Sequence, residues 1–151
     1  MIITYDDVWS TFLDNYKVNT VDIPTDEFII YNDIRNAVMM VNNKLRTKFK
    51  ADDTSELIIG AETEDDRLII AHYIKLAYLI NEKVVYESLY QPISPDVGVR
   101  NYNSQLNSLD KSIARQESYI EYFILNTRED FLWNIKKLKS SVRTSRMDIL
   151  V

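Results

Sequence analysis

The chain has 151 residues, room for one domain of ordinary size, with no cysteine, one histidine, two glycines and three prolines. Its net charge of -5 argues against a general nucleic-acid binder, which neutralises phosphates with an excess of Lys and Arg. The missing cysteines exclude disulfides and thiolate metal sites and point to synthesis in a reducing compartment, and scarce glycine and proline favour helices over a many-stranded sheet.

Met1, Ile2 and Ile3 run into Asp6 and Asp7, where a secretory leader would need a basic start and a long apolar run. A first helix is expected from about Tyr5 to Tyr16. Thr4 is its N-cap, Asp6 and Asp7 suit the positive end of the helix dipole, and Val8, Phe12 and Tyr16 share a face that Trp9 and Leu13 widen. After a linker with Val21, Asp22, Ile23 and Pro24, the run Thr25-Asp26-Glu27 reads as the next helix start. Tyr31, Ile34, Val38, Val41 and Leu45 recur at steps of three and four, and this second helix is expected to reach about Phe49.

Residues 51–66 form an acidic connector without a basic residue, within which Leu57-Ile58-Ile59-Gly60 suits a short strand or an apolar anchor. Thr63 and Asp66 resemble a capping box at the start of a third helix, about Glu64 to Tyr90. At about 1.5 Å per residue that helix is roughly 40 Å long. Leu68, Ile69, Ala71, Tyr73, Leu76, Ala77, Ile80 and Val84 leave its first half little polar surface, which suits the centre of a bundle or a subunit interface. The longest apolar stretch, Leu68 to Ile80, is broken by His72 and Lys75, short of the roughly 18 residues of a membrane span.

Gln91 to Arg100, with Pro92, Pro95 and Gly98, is the clearest break in the chain. A fourth helix is expected from about Asn103 to Asn126, carrying Leu106, Leu109, Ile113, Ile120, Phe123 and Ile124 with Gln116 and Glu117 interrupting the stripe. Thr127 and the acids after it read as another helix start, and Phe131, Ile135, Leu138 and Val142 share a fifth helical face. The pattern stops after Arg143, leaving 144–151 as a tail with a polar start and an apolar end. The expected fold is mainly α: a bundle of about five helices with a long central helix, one Pro-containing loop, a helical domain over 1–143 and a C-terminal docking tail over 144–151.

No catalytic centre is recognisable. His72 is the only histidine, so any Ser/His/Asp catalysis or histidine-based metal site would have to use it, and its place in the most apolar helix suits a packed core histidine. Glu62, Glu64, Asp65 and Asp66 lack the spacing and central glycine of a calcium loop and suit a helix N-terminus. Gly60 and Gly98 are too few and too far apart for a phosphate-cradling loop. No enzyme activity, cofactor or metal is expected.

Two features point towards partners. Seven of the ten tyrosines, Tyr73, Tyr78, Tyr86, Tyr90, Tyr102, Tyr119 and Tyr122, lie on or beside the third and fourth helices, where they suit either a core with wet rims or an interface. Residues 1–33 hold seven acids and one base, whereas 131–147 hold five bases, Lys136, Lys137, Lys139, Arg143 and Arg146, and no acid. A basic last helix suits a solvated face, nucleic-acid contact, or docking on a sister subunit or larger partner. Met147, Ile149, Leu150 and Val151 favour docking, because apolar chain ends mark contact sites.

A short first helix, an amphipathic second, an acidic connector, a long apolar helix, a proline-containing loop, further helices and a docking tail together resemble the head-to-tail adaptor (connector or head-completion) proteins of tailed bacteriophages. That resemblance is of architecture and size. It implies a structural virion protein made in the host cytoplasm and placed in the neck. There a homo-oligomeric ring, usually dodecameric, would join the portal protein to tail or stopper proteins and extend the DNA channel. DNA would pass without specific binding, and no membrane would be involved. By the same resemblance Lys136, Lys137, Lys139, Arg143, Arg146, Met147, Ile149, Leu150 and Val151 would dock on the portal. Pro92, Ile93, Pro95, Val97, Val99 and Arg100 would meet a neighbouring subunit or the tail. The alternatives are a small helical interaction or regulatory module that binds a host protein, and a DNA-contacting protein using its basic last helix.

Overall fold

The computed structural model describes residues 1–15, 23–89 and 99–127, and the protein is mainly helical over them. Four helices are described: α1 (Tyr5–Asn15), α2 (Glu27–Leu45), α3 (Glu64–Leu89) and α4 (Val99–Thr127). A two-stranded sheet, β1 (Lys50–Asp52) and β2 (Leu57–Ile59), lies between α2 and α3 in sequence. The chain divides into two compact units, Met1–Ile120 and Glu121–Val151, with the boundary inside α4. In the second unit the described part is the end of α4, where Asn126 and Thr127 return their side chains to the carbonyls of Tyr122 and Phe123, both at 2.7 Å.

The helix starts follow from local hydrogen bonding. At α1 the Thr4 hydroxyl accepts from the Asp7 amide at 3.1 Å while the Asp7 carboxylate accepts from the Thr4 amide at 2.9 Å. Thr63 and Asp66 repeat this reciprocal box at α3, and Asp66 also accepts from the Glu62 amide. Asp26 caps α2 by accepting from the Phe28 amide at 2.9 Å.

The second helix ends four residues earlier than its periodicity suggests. Arg46 takes the left-handed conformation, φ 57°, and closes α2. Asn42 then holds the returning chain: its Nδ2 donates to the Phe49 carbonyl at 2.8 Å and its Oδ1 accepts from the Phe49 amide at 2.9 Å. Residues 46–49 thus lead into β1, a strand that the sequence pattern did not disclose. β1 and β2 pair antiparallel with Ala51 opposite Ile58. Gly60, at φ +89°, turns the chain from β2 into α3. The N-terminal residues extend this ladder, since Ile58 donates to the Ile3 carbonyl and Tyr5 to the Glu56 carbonyl.

The core lies where α1 and α2 cover the first half of α3. Val8 and Phe12 of α1, Ile34, Val38, Val41 and Leu45 of α2, and Ile69, Ile70 and Ile74 of α3 are buried. Leu13, by contrast, is exposed, so the apolar face of α1 is narrower than its sequence suggests. The hairpin turn is tied to the helices by side chains: the Tyr5 hydroxyl donates to Asp53 at 2.7 Å, Arg35 pairs with Asp53, and Tyr31 donates to Glu56.

α4 begins at Val99, earlier than the Asn103 expected from the sequence. Val99 and Arg100, read as part of the proline-containing loop, therefore open a helix. The residues that break helices, Pro92, Pro95 and Gly98, all precede it. The expected fifth helix and the 144–151 tail lie outside the described residues.

Candidate docking cleft

The one histidine sits in the packed interior of the first unit. His72 is buried and its Nδ1 lies 3.1 Å from Nε2 of Gln116, which also donates to the His72 carbonyl at 3.1 Å. Because an amide nitrogen can only donate, Nδ1 accepts and the proton sits on Nε2. Burial, with a smaller contribution from Lys75, pushes the imidazole down from its ordinary value to about 4. The ring of Tyr119 packs 4.6 Å from it. This neutral, hydrogen-bonded histidine ties α3 to α4, a role in structure. Among the acids of the connector, Asp66 accepts from two backbone amides and Glu64 pairs with Arg67.

The surface that can receive a partner lies at the other end of α3. A cleft of about 810 Å³ opens between the start of α2, the second half of α3 and the first half of α4. Antiparallel contacts between α3 and α4 frame it. Tyr86 stacks on Tyr102 with ring centres 5.4 Å apart, and Lys83 pairs with Asp110 at 2.6 Å. Its apolar lining comes from Ile29 on α2, Val85 and Leu89 on α3, and Leu109 on α4. Ile29, Val85 and Leu89 remain 46%, 52% and 68% exposed, a large apolar surface to leave in water. Tyr78 and Tyr86 add aromatic surface with polar tips.

The charged groups among the described lining residues are Asp33 and Glu82, both acids. Burial raises the Asp33 carboxyl above the usual carboxylate range, so its charge sits in a partly apolar setting. Glu82 accepts from the Tyr78 hydroxyl, one turn earlier on the same helix, at 3.3 Å. The cleft thus offers apolar area, two aromatic rings and negative charge. That combination suits a basic amphipathic segment of protein.

Of the residues expected to carry contacts, Val99 and Arg100 belong to the first turn of α4. Pro92, Ile93, Pro95 and Val97 lie outside the described residues, as do Lys136, Lys137, Lys139, Arg143, Arg146, Met147, Ile149, Leu150 and Val151. The tyrosines divide between the two roles considered for them: Tyr73 is buried, Tyr78, Tyr86 and Tyr102 are half-buried, and Tyr119 and Tyr122 are exposed. The periodicity of single helix faces does not disclose the cleft, although the sequence carries a signal for it. Val84, Val85 and Leu89 continue the apolar content of α3 well past the half that the core needs.

Among the described residues no helix is long and apolar enough to cross a membrane. No solved structure matches the chain. The chain is 43% identical over 129 residues to the SPbeta prophage-derived uncharacterized protein YomZ of Bacillus subtilis (strain 168), a match that covers 85% of this chain and 98% of the relative. The family model for the YomZ prophage protein matches residues 1–129, so the cleft lies within the matched part and the basic stretch 131–147 beyond it. The chain therefore belongs to the YomZ prophage protein family, which is of phage origin.

Proposed function

We propose that this phage protein is a structural, protein-binding part without chemistry of its own, working as an adaptor ring between portal and tail or stopper proteins in the neck of a virion. The observation that carries the protein-binding reading is the cleft, where Ile29, Val85 and Leu89 stand in water beside Asp33 and Glu82. Family membership supports a role in a phage, and the small, mainly helical architecture is in keeping with the adaptor. In this reading the negatively charged subunit suits a DNA channel, because a wall without excess Lys and Arg does not hold passing phosphates.

The test is to purify particles of the phage that encodes the chain, and to co-express it with that phage's portal and stopper proteins. The expected result is the chain in the virion, comigration with the portal, and a ring at the neck in electron micrographs. Absence from particles and no association with portal or stopper overturns the adaptor. Recovery with a host protein under those conditions would instead assign the chain to the regulatory modules that bind host components. The five bases of the stretch 131–147 carry the alternative of DNA contact. That alternative requires binding that weakens steeply with salt and vanishes when Lys136, Lys137 and Lys139 are neutralised.

A further inference from the structure

We propose that the cleft between α2, α3 and α4 seats the basic segment 131–147 of a second copy of this chain. The inference rests on reading the cleft as a protein-binding surface and names its partner. The complementarity is in chemistry and in spacing. The segment carries Phe131, Ile135, Leu138 and Val142 at helical steps of four, three and four. Lys136, Lys139 and Arg143 follow one another at steps of three and four along one flank of that stripe, and no acid occurs between 131 and 147. A helix of this pattern presents an apolar face with one basic edge. The cleft presents exposed Ile29, Val85 and Leu89 with two carboxylates, Asp33 and Glu82. Apolar face on apolar floor, with the basic edge towards the carboxylates, matches the pattern of the segment to the lining of the cleft.

Such an interface uses different patches on its two sides, so each copy keeps one cleft and one segment to offer. Interfaces of this kind close into rings or grow into filaments according to the rotation between copies. The segment lies beyond the residues matched by the family model, so this mode of assembly is a property of the present chain, not of the shared 129-residue part.

Two variants of the full chain and their mixture test the proposal by sedimentation. V85D/L89D introduces charge at two positions more than half exposed, where the fold tolerates it, and disables the cleft. K136E/K139E/R143E disables the segment. The wild type is expected to self-associate, and each variant to weaken that association on the order of tenfold or more, with unchanged circular dichroism. Mixing the two variants is expected to restore a one-to-one complex, because the mixture again contains one intact cleft and one intact segment. A wild type that stays monomeric at every concentration overturns the proposal. So does self-association indifferent to V85D/L89D, or one lost in the cleft variant but untouched by reversal of the three bases. In any of these outcomes, preserved binding to portal or stopper proteins leaves the adaptor reading standing and removes only the second copy as occupant of the cleft.

Discussion

His72 sits in an environment far from what an isolated side chain would experience. It is 5% exposed, Gln116 meets both its ring and its carbonyl, and its proton affinity falls from the ordinary 6.5 to about 4. Its linkage to stability has a definite sign. Between these two values the unfolded chain takes up a proton that the folded chain refuses. The stabilisation from the neutral ring is fully present above pH 6.5 and is lost as pH falls towards 4. Denaturant unfolding at about pH 7 and about pH 5.5 should show stability falling with a limiting slope of roughly 1.4 kcal/mol per pH unit. His72→Gln should flatten that dependence, and an equal slope in the variant would show that another group is responsible. Asp33, whose carboxyl is raised by burial, acts in the opposite sense. That His72 is a core residue could be read from its neighbours, Ile69, Ile70, Ala71 and Ile74. Its partner could not, because Gln116 is 44 residues away and interrupts an otherwise apolar stripe without a local reason.

At the level of helices and strands, the starts that carry a local cap are legible in the sequence. Thr4 with Asp7, Asp26, and Thr63 with Asp66 all cap the helices they precede, because a capping side chain acts on amides two or three residues away and needs no tertiary partner. The end of α2 is different. Leu45 still belongs to the buried stripe, no glycine or proline follows, and the helix nonetheless stops at Arg46 in a left-handed conformation. A non-glycine residue there carries a steric cost, so Arg46→Gly should stabilise the protein by roughly 0.5–1 kcal/mol, visible as a higher denaturant midpoint with an unchanged m-value. A lower midpoint would mean that the arginine side chain contributes more than its backbone costs. What ends α2 is the pairing that follows it, with Asn42 gripping Phe49 and β1 meeting β2, and pairing across a turn leaves little trace in three-residue strands.

For the molecule as a whole, the first unit holds the described core apart from Ile124, and the family match ends at residue 129. A chain ending at Glu129 should therefore unfold cooperatively with a melting temperature within a few degrees of the full chain, on the order of the shift that 1 kcal/mol produces. Loss of the cooperative transition would make residues 130–151 part of the core. The mainly helical class, the four described helices and the buried stripe of α2 were legible in composition and periodicity, since scarce glycine and three- and four-residue apolar spacing act through neighbours along the chain. The same reasoning could find the opposed charges of the two ends, because charge is carried by residue identity alone. It could not find the cleft. Ile29, Asp33, Val85, Leu89 and Leu109 come from three helices, and each reads as an ordinary position on its own helix. Whether such a position is covered or left open depends on how α2, α3 and α4 pack around it, and that is set by contacts between residues far apart in sequence.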